Sequence, residues 1–267
     1  MKRIADFFKG TYLGLMLLFL YAPIIVLMVF SFNESKTMGH WSGFSFKWYE
    51  ALLSDATIMD ALWVTLSVAI ISAIAATAIG TFAAIGIHSM KKSPKSVVEN
   101  ISQLPMVNPD LVTGISFMML FALLGIKGGY TRMLIAHTTF NIPYVIFSVL
   151  PKLRQSSNNL YEAAMDLGCT PWMALRKVVI PDIMPGIVSG FILSFTLSLD
   201  DFVVSWFATS GIQNLSIYIY SIARRGISPK INALSAIMFV AVMTLLLFVN
   251  LRSLKEERET EKQMKRL

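Results

Sequence analysis

Three aspartates interrupt stretches of sequence that are otherwise apolar. Asp200 and Asp201 are neighbours in the run Ile183 to Thr209, and Asp110 lies near the start of the run Leu104 to Ile126. An ionisable side chain at mid-bilayer costs about 2.5–3.5 kcal/mol on insertion scales, so a carboxylate there faces a polar path, a partner charge or a reaction. Two embedded carboxylates that share a proton can activate water for hydrolysis. Carboxylates with aromatic faces nearby instead attract organic cations by ion pairing and cation–π contact. Ser194, Ser198, Asp201 and Ser205 are spaced by four, three and four, which predicts one polar stripe along a continuous helix, with Asp200 about 100° round from it. Such a stripe suits a lined pathway. Trp48 and Trp206 are the aromatic candidates, although tryptophan near a membrane boundary also serves as an interfacial anchor. Asp110 follows Pro109 and could cap a half-helix; Asp200 or Asp201 could pair with a base on a neighbouring subunit. His137 reads as a hydrogen-bonded packing residue and is assigned no function.

The elements that hold these residues follow from composition. Of 267 residues, 55% are hydrophobic and 15% charged, with a mean hydropathy of +0.63. This excludes a soluble enzyme. Six apolar runs, about 11–32, 61–87, 104–126, 131–151, 183–209 and 231–251, take up about 140 of the 267 residues, each long enough to cross a hydrocarbon core about 30 Å thick. A single all-α membrane domain over residues 1–267 is expected, because the connectors are too short for a second globular domain. The basic start, Lys2, Arg3 and Lys9, resembles a signal peptide, but the following run is longer than such a region and lacks a small-residue cleavage site, so an uncleaved first helix is expected. Sixteen of the 23 Lys and Arg fall at the termini and in the second and fourth connectors. The positive-inside rule therefore puts both termini and the segment Lys152 to Asp182 in the cytoplasm, and the net charge of +7 reflects topology rather than nucleic acid. One cysteine, Cys169, and no Cys/His cluster argue against disulfide and metal chemistry. Ser72, Ala76, Gly80 and Ala84 form a small-residue stripe suited to close helix packing. Pro23, Pro109 and Pro143 predict kinks, and the tail from Arg252 reads as a solvated helix or frayed end.

The 31-residue connector between the fourth and fifth runs carries its own local signals. Asn159 to Glu162 has N-cap-to-N3 spacing and starts a helix that Gly168 stops. Thr170-Pro171 starts a second short helix, expected to run to about Val179 and end before Pro181. Glu162-Ala163-Ala164, three residues, Gly168, nine residues, then Val178-Val179-Ile180-Pro181 resembles the EAA-x3-G-x9-I-x-L-P loop of ABC importer permeases. Val178 and Ile180 replace isoleucine and leucine, both conservatively.

That resemblance implies a type I ABC importer permease with six transmembrane helices. It also implies that Glu162, Ala163, Ala164, Gly168 and Pro181 belong to the helices that seat in a separate ATPase subunit. The chain has no G-x-x-x-x-G-K-[ST] phosphate loop, so ATP with Mg is expected on that partner and not here. Glu162 could also serve simply as the reciprocal cap of its helix. The stretch Ser194 to Ser205, together with Phe46-Lys47-Trp48-Tyr49 and Asn108-Pro109-Asp110, is similar to PotC-type permease subunits of spermidine/putrescine importers. This similarity implies polyamine transport across the bacterial inner membrane, with no covalent chemistry in this chain. Asp110, Ser198, Asp200, Asp201, Trp48 and Trp206 would lie on the substrate pathway. Implied partners are a PotB-type second permease, a PotA-type ATPase dimer and an external PotD-type binding protein. An importer for another solute shares the loop but not the polyamine residues. An intramembrane aspartyl protease is a remote rival, since neither Leu197-Ser198-Leu199 before Asp200 nor Val107-Asn108-Pro109 before Asp110 supplies the Gly-x-Gly-Asp context of such enzymes. A scaffold or simple channel would lack an ATPase partner.

Overall fold

The computed structural model describes residues 2–36, 40–156, 158–224, 229–244 and 247. The end of the sixth apolar run and the tail from Arg252 lie outside these residues. The described chain is helical. Its elements are α1 (Lys2–Phe30), α2 (Lys47–Leu53), α3 (Ala56–His88), α4 (Lys92–Val107), α5 (Asp110–Leu123), α6 (Gly129–Gln155), α7 (Asn158–Asp166), α8 (Pro171–Ala174), α9 (Ile180–Asp182), α10 (Met184–Asp200), α11 (Val203–Ala208), α12 (Leu215–Ala223) and α13 (Pro229–Thr244). The residues divide into two compact units, Met1–Ile58 with Ser221–Leu267, and Met59–Tyr220.

By length and composition, Gly10–Phe30, α3 and α6 can each cross a membrane as continuous helices. Two further candidates are bent pairs: α4 with α5, at 100°, and Pro171–Asp182 with α10, at 69°. The third run does bend at Pro109, where a kink is expected, and the fifth, expected to be one continuous helix, is broken as well. The third does not begin at Leu104: helix already forms at Lys92, and it breaks at Asn108 and Pro109. Pro109 has no N–H to give and excludes the helical region for the residue before it, so Asn108 is extended, with φ −72° and ψ 136°. The fifth run breaks at Asp201, whose backbone is extended at φ −61° and ψ 122°, before the chain re-enters helix at Val203.

In the first unit, α1 is apolar and largely exposed over Leu13 to Val29, as a lipid-facing helix must be. After it, Phe32 stacks on Phe44 and Tyr49, and the Trp48 indole N–H donates to the Asn33 carbonyl at 2.7 Å. Lys230 of α13 pairs with Asp55 at 3.2 Å.

In the second unit, α3 and α10 pack on α6. Val145, Val149, Leu150 and Ile183 are its buried centre, with Ala76 and Ala84 from α3. The small-residue stripe of α3 is what allows the contact. A Cβ on Gly80 would lie 2.7 Å from Val145 Cβ, so only glycine permits the approach. With no hydrophobic driving force between helices in lipid, this packing and the buried hydroxyls of α3 and α10 hold the unit together.

Candidate functional site

At the end of α10 the helix stops because a side chain competes for its donors. The Asp201 carboxylate accepts the Ser205 N–H at 2.7 Å and the Val204 N–H at 3.3 Å, capping α11 in place of a continuing ladder. His137 of α6 places Nε2 2.9 Å from Ser205 Oγ and 3.4 Å from Asp201 Oδ2. Asn214 donates from Nδ2 to the Asp201 carbonyl at 3.0 Å and to Ser205 Oγ at 2.8 Å, while its Oδ1 accepts the Ile217 N–H of α12 at 2.9 Å. These contacts give partners to the Asp201 carbonyl and carboxylate and to the Val204 and Ser205 N–H groups at the break, where backbone in a low-dielectric setting needs them.

The break opens on a cavity of about 330 Å³ lined by Asp110, Asp200, Asp201, Tyr144, Phe140 and Phe202, among others. Its volume is in the range of small-ligand sites. The three acids separated by ninety residues of sequence converge here because α5 starts at the Pro109 break and α10 ends at the Asp201 break. Asp110 and Asp200 are exposed, whereas the Asp201 side chain is only 10% exposed. Beside it, the Phe202 ring lies 4.5 Å from that of Tyr220 at a tilt of 39°, and Trp206 meets the same tyrosine edge-on at 6.0 Å. Exposed Trp206 therefore belongs to an aromatic cluster next to the acids. The arrangement offers negative charge and π faces together, the chemistry that holds an organic cation.

Other expected site residues sit elsewhere. Ser198 is 1% exposed; its hydroxyl accepts from Asn141 Nδ2 at 2.8 Å and lies 3.2 Å from Ser72 Oγ. Ser194 and Ser205 are likewise buried. The serines of the fifth run thus face neighbouring helices, and of the two adjacent acids it is Asp201 that stays with them, through Ser205 and His137. Trp48 belongs to the other unit and is 5% exposed. Asp110 is the first residue of α5 and makes no capping bond; the N-cap is Pro109. The sequence reading did not single out Asn214 and Tyr220, and it took His137 for a hydrogen-bonded packing residue without naming its partners, Ser205 and Asp201. A signal existed for His137: a histidine within an apolar run, like an aspartate, needs a polar partner.

The second candidate region is the segment after α6. In α7, Glu162 and Ala163 are exposed and Ala164 is buried. Gly168, at φ +85°, closes the helix with paired bonds, Gly168 N–H to the Met165 carbonyl at 2.9 Å and Cys169 N–H to the Ala164 carbonyl at 3.0 Å. This is a Schellman end, which needs the left-handed conformation open to glycine. Thr170 Oγ1 caps α8, accepting the Met173 N–H at 3.4 Å. The second helix does not stop before Pro181. Leu175–Val179 widens into π-helix and helical backbone continues to Asp182, since the wide turn accommodates a proline ring that would strike the carbonyl four residues back. Glu162 lines a cavity of about 710 Å³ with Tyr161, Trp172 and Asp182, closed by Leu153 of α6 and His88 of α3. Trp172 is 61% and Leu167 87% exposed, so this segment presents an apolar surface beside its acid.

Residues 76–253 match the family described as "Binding-protein-dependent transport system inner membrane component". The chain is 37% identical over 245 residues to the spermidine/putrescine transport system permease protein PotC of Escherichia coli (strain K12), covering 91% of this chain and 93% of that protein. It is 38% identical over 232 residues to the putrescine transport system permease protein PotI of the same strain, covering 84% and 83%. Its fold is similar to that of a crystal structure of a bacterial ABC transporter involved in the import of the acidic polysaccharide alginate, with TM-score 0.73, 15% identity and coverage of 94% and 96%. The MetNI methionine ABC transporter, in an inward facing conformation, gives TM-score 0.61 and 17% identity over 75% of this chain and 95% of that one. From the loop after α6 to the broken helices around the acids, the chain belongs to the permease subunits of binding-protein-dependent ABC importers, a family of multi-pass membrane proteins.

Proposed function

We propose that this permease imports polyamines, spermidine or putrescine, across the bacterial inner membrane. The observation that carries the substrate class is the convergence of Asp110, Asp200 and Asp201 on one cavity beside Phe202, Trp206 and Tyr220. A polyamine is a flexible chain of ammonium groups and methylenes, and this wall offers carboxylates for the first and aromatic faces for the second. The similarity to PotC and PotI supports the same reading. Ser198 and Trp48 act in it indirectly, through the packing of the pathway walls.

The whole chain works as one permease domain with six crossings and both termini in the cytoplasm, as its Lys and Arg distribution suggests. The chain catalyses no covalent step. Energy comes from ATP with Mg on a PotA-type ATPase dimer, docked through Glu162, Ala163, Ala164, Gly168 and Pro181. A PotB-type permease supplies the other half of the pathway, and an external PotD-type protein delivers the substrate. The test is ATP-dependent uptake of labelled spermidine and putrescine by vesicles containing this chain with its genomic neighbours. Saturable uptake of either supports the reading. An assembled complex that hydrolyses ATP and accumulates neither polyamine overturns the substrate class and leaves the family intact.

A further inference from the structure

Asp200 and Asp201 are adjacent in sequence and share the wall of one cavity, yet their surroundings differ in kind. Asp200 is exposed. Asp201 is 10% exposed, accepts two backbone N–H groups of α11 and lies 3.4 Å from His137 Nε2. A carboxylate offers about four acceptor positions, and these donors occupy the side that faces the protein. We infer that the two acids divide the work: Asp200, with Asp110, meets the cation, whereas Asp201 holds the helix break, with His137 and Asn214 as its positioning residues. The inference rests on the cation-import reading above.

Hydrogen accounting supports this assignment. Ser205 Oγ accepts from Asn214 and lies 2.9 Å from His137 Nε2. If Nε2 carried no proton, it would set a lone pair against the Asp201 carboxylate. The network is therefore consistent with the tautomer protonated at Nε2, its N–H shared between Ser205 Oγ and Asp201 Oδ2. That leaves Nδ1 as an acceptor, and Nδ1 is the nitrogen that has no partner among the described residues. An unpaired acceptor is easier to bury there than an unpaired donor. Asn214 meets the complementary need. Where the ladder of α10 stops, carbonyls are left without donors, and Asn214 Nδ2 supplies one to Asp201 while its Oδ1 caps α12. One amide and one imidazole thus bind three segments, α10, α11 and α12, to α6. A cation at Asp201 would have to compete with all of these donors; at Asp200 it would not.

The test separates affinity from turnover in the reconstituted complex. Asp200→Asn should raise the KM for spermidine about tenfold or more, the loss of one charge-assisted contact. Asp201→Asn keeps an acceptor for the Ser205 N–H but loses charge towards His137; it should lower Vmax while KM stays within about threefold. His137→Gln, whose amide can donate from a similar place, should retain most of the Vmax that His137→Leu loses. An Asp201→Asn variant whose KM rises like that of Asp200→Asn, or a His137→Leu variant with wild-type Vmax, overturns the division. A second arm needs no polyamine. In a Cys169→Ser background, a cationic methanethiosulfonate reagent should label Asp200→Cys about tenfold or more faster than Asp201→Cys. Equal rates overturn the assignment. If wild-type vesicles import no polyamine, the substrate reading fails and the labelling rates still decide the division.

Discussion

His137 Nε2 lies 3.4 Å from Asp201 Oδ2, joining a histidine inside one long helix to an acid at the point where another helix is broken. The His137 side chain is 1% exposed, so the contact is made where water does not compete and a lost partner is expensive. Its mechanical setting follows from α6. The same helix runs on from His137 to Gln155 and leads into the α7–α8 segment, a distance of about 27 Å at 1.5 Å per residue. A displacement of the segment proposed to dock the ATPase would therefore have a continuous helix along which to reach the acid cavity.

Neutralising the exposed acids should weaken substrate capture more than it weakens folding. Asp110→Asn combined with Asp200→Asn is expected to raise the polyamine KM by more than either change alone, with membrane levels of the protein unchanged by immunoblot. Each exposed carboxylate contributes a charge-assisted contact worth about 1–3 kcal/mol when formed in a partly dry site. A double variant that transports with wild-type KM would move the cation site elsewhere.

Trp206 tests the aromatic cluster that adjoins the cavity through Phe202. Trp206→Phe keeps a π face and should transport with KM changed about twofold or less, while Trp206→Leu should lose about 0.5–2 kcal/mol of cation attraction and show a correspondingly higher KM. Similar behaviour of the two variants, read from initial uptake rates, would make Trp206 an interfacial anchor instead.

Gly168 carries the turn between the two short helices, and its φ of +85° is one that a side chain adopts at a cost. Gly168→Val should destabilise that turn by about 1–2 kcal/mol and reduce co-purification of the ATPase subunit while the chain still inserts. Glu162→Ala should weaken the same association without altering the turn. Circular dichroism and pull-down from detergent separate the two effects. Normal ATPase recovery with both variants would remove this segment from the docking surface.

Gly80 tests the core instead of the site. A methyl there would approach Val145 Cβ to 2.7 Å, so Gly80→Ala must push α3 from α6 and is expected to cost about 1–3 kcal/mol by overpacking. A lower thermal unfolding midpoint in detergent is the expected result. An unchanged midpoint would mean that the two helices tolerate a wider spacing than the one described.

Composition and local signals determined the class of this protein and the two short helices that follow α6. Apolar runs long enough to cross a bilayer leave only helix as a backbone solution, and the Glu162, Gly168 and Thr170-Pro171 signals are local, because caps and stops depend on residues within a turn of one another. The small-residue stripe through Gly80 was legible for the same reason: its period is that of the helix itself. The three acids were legible as expensive residues, but their division was not. The fifth run looks continuous when only spacing is considered, and spacing then joins Asp201 to Ser194, Ser198 and Ser205 in one stripe. Tertiary structure decided otherwise. His137 and Asn214 come from distant segments, and only after folding can they satisfy the groups that a break at Asp201 exposes. With those donors in place the break is stable, the serines turn into the helix packing, and Asp200 is left facing the cavity beside Asp110.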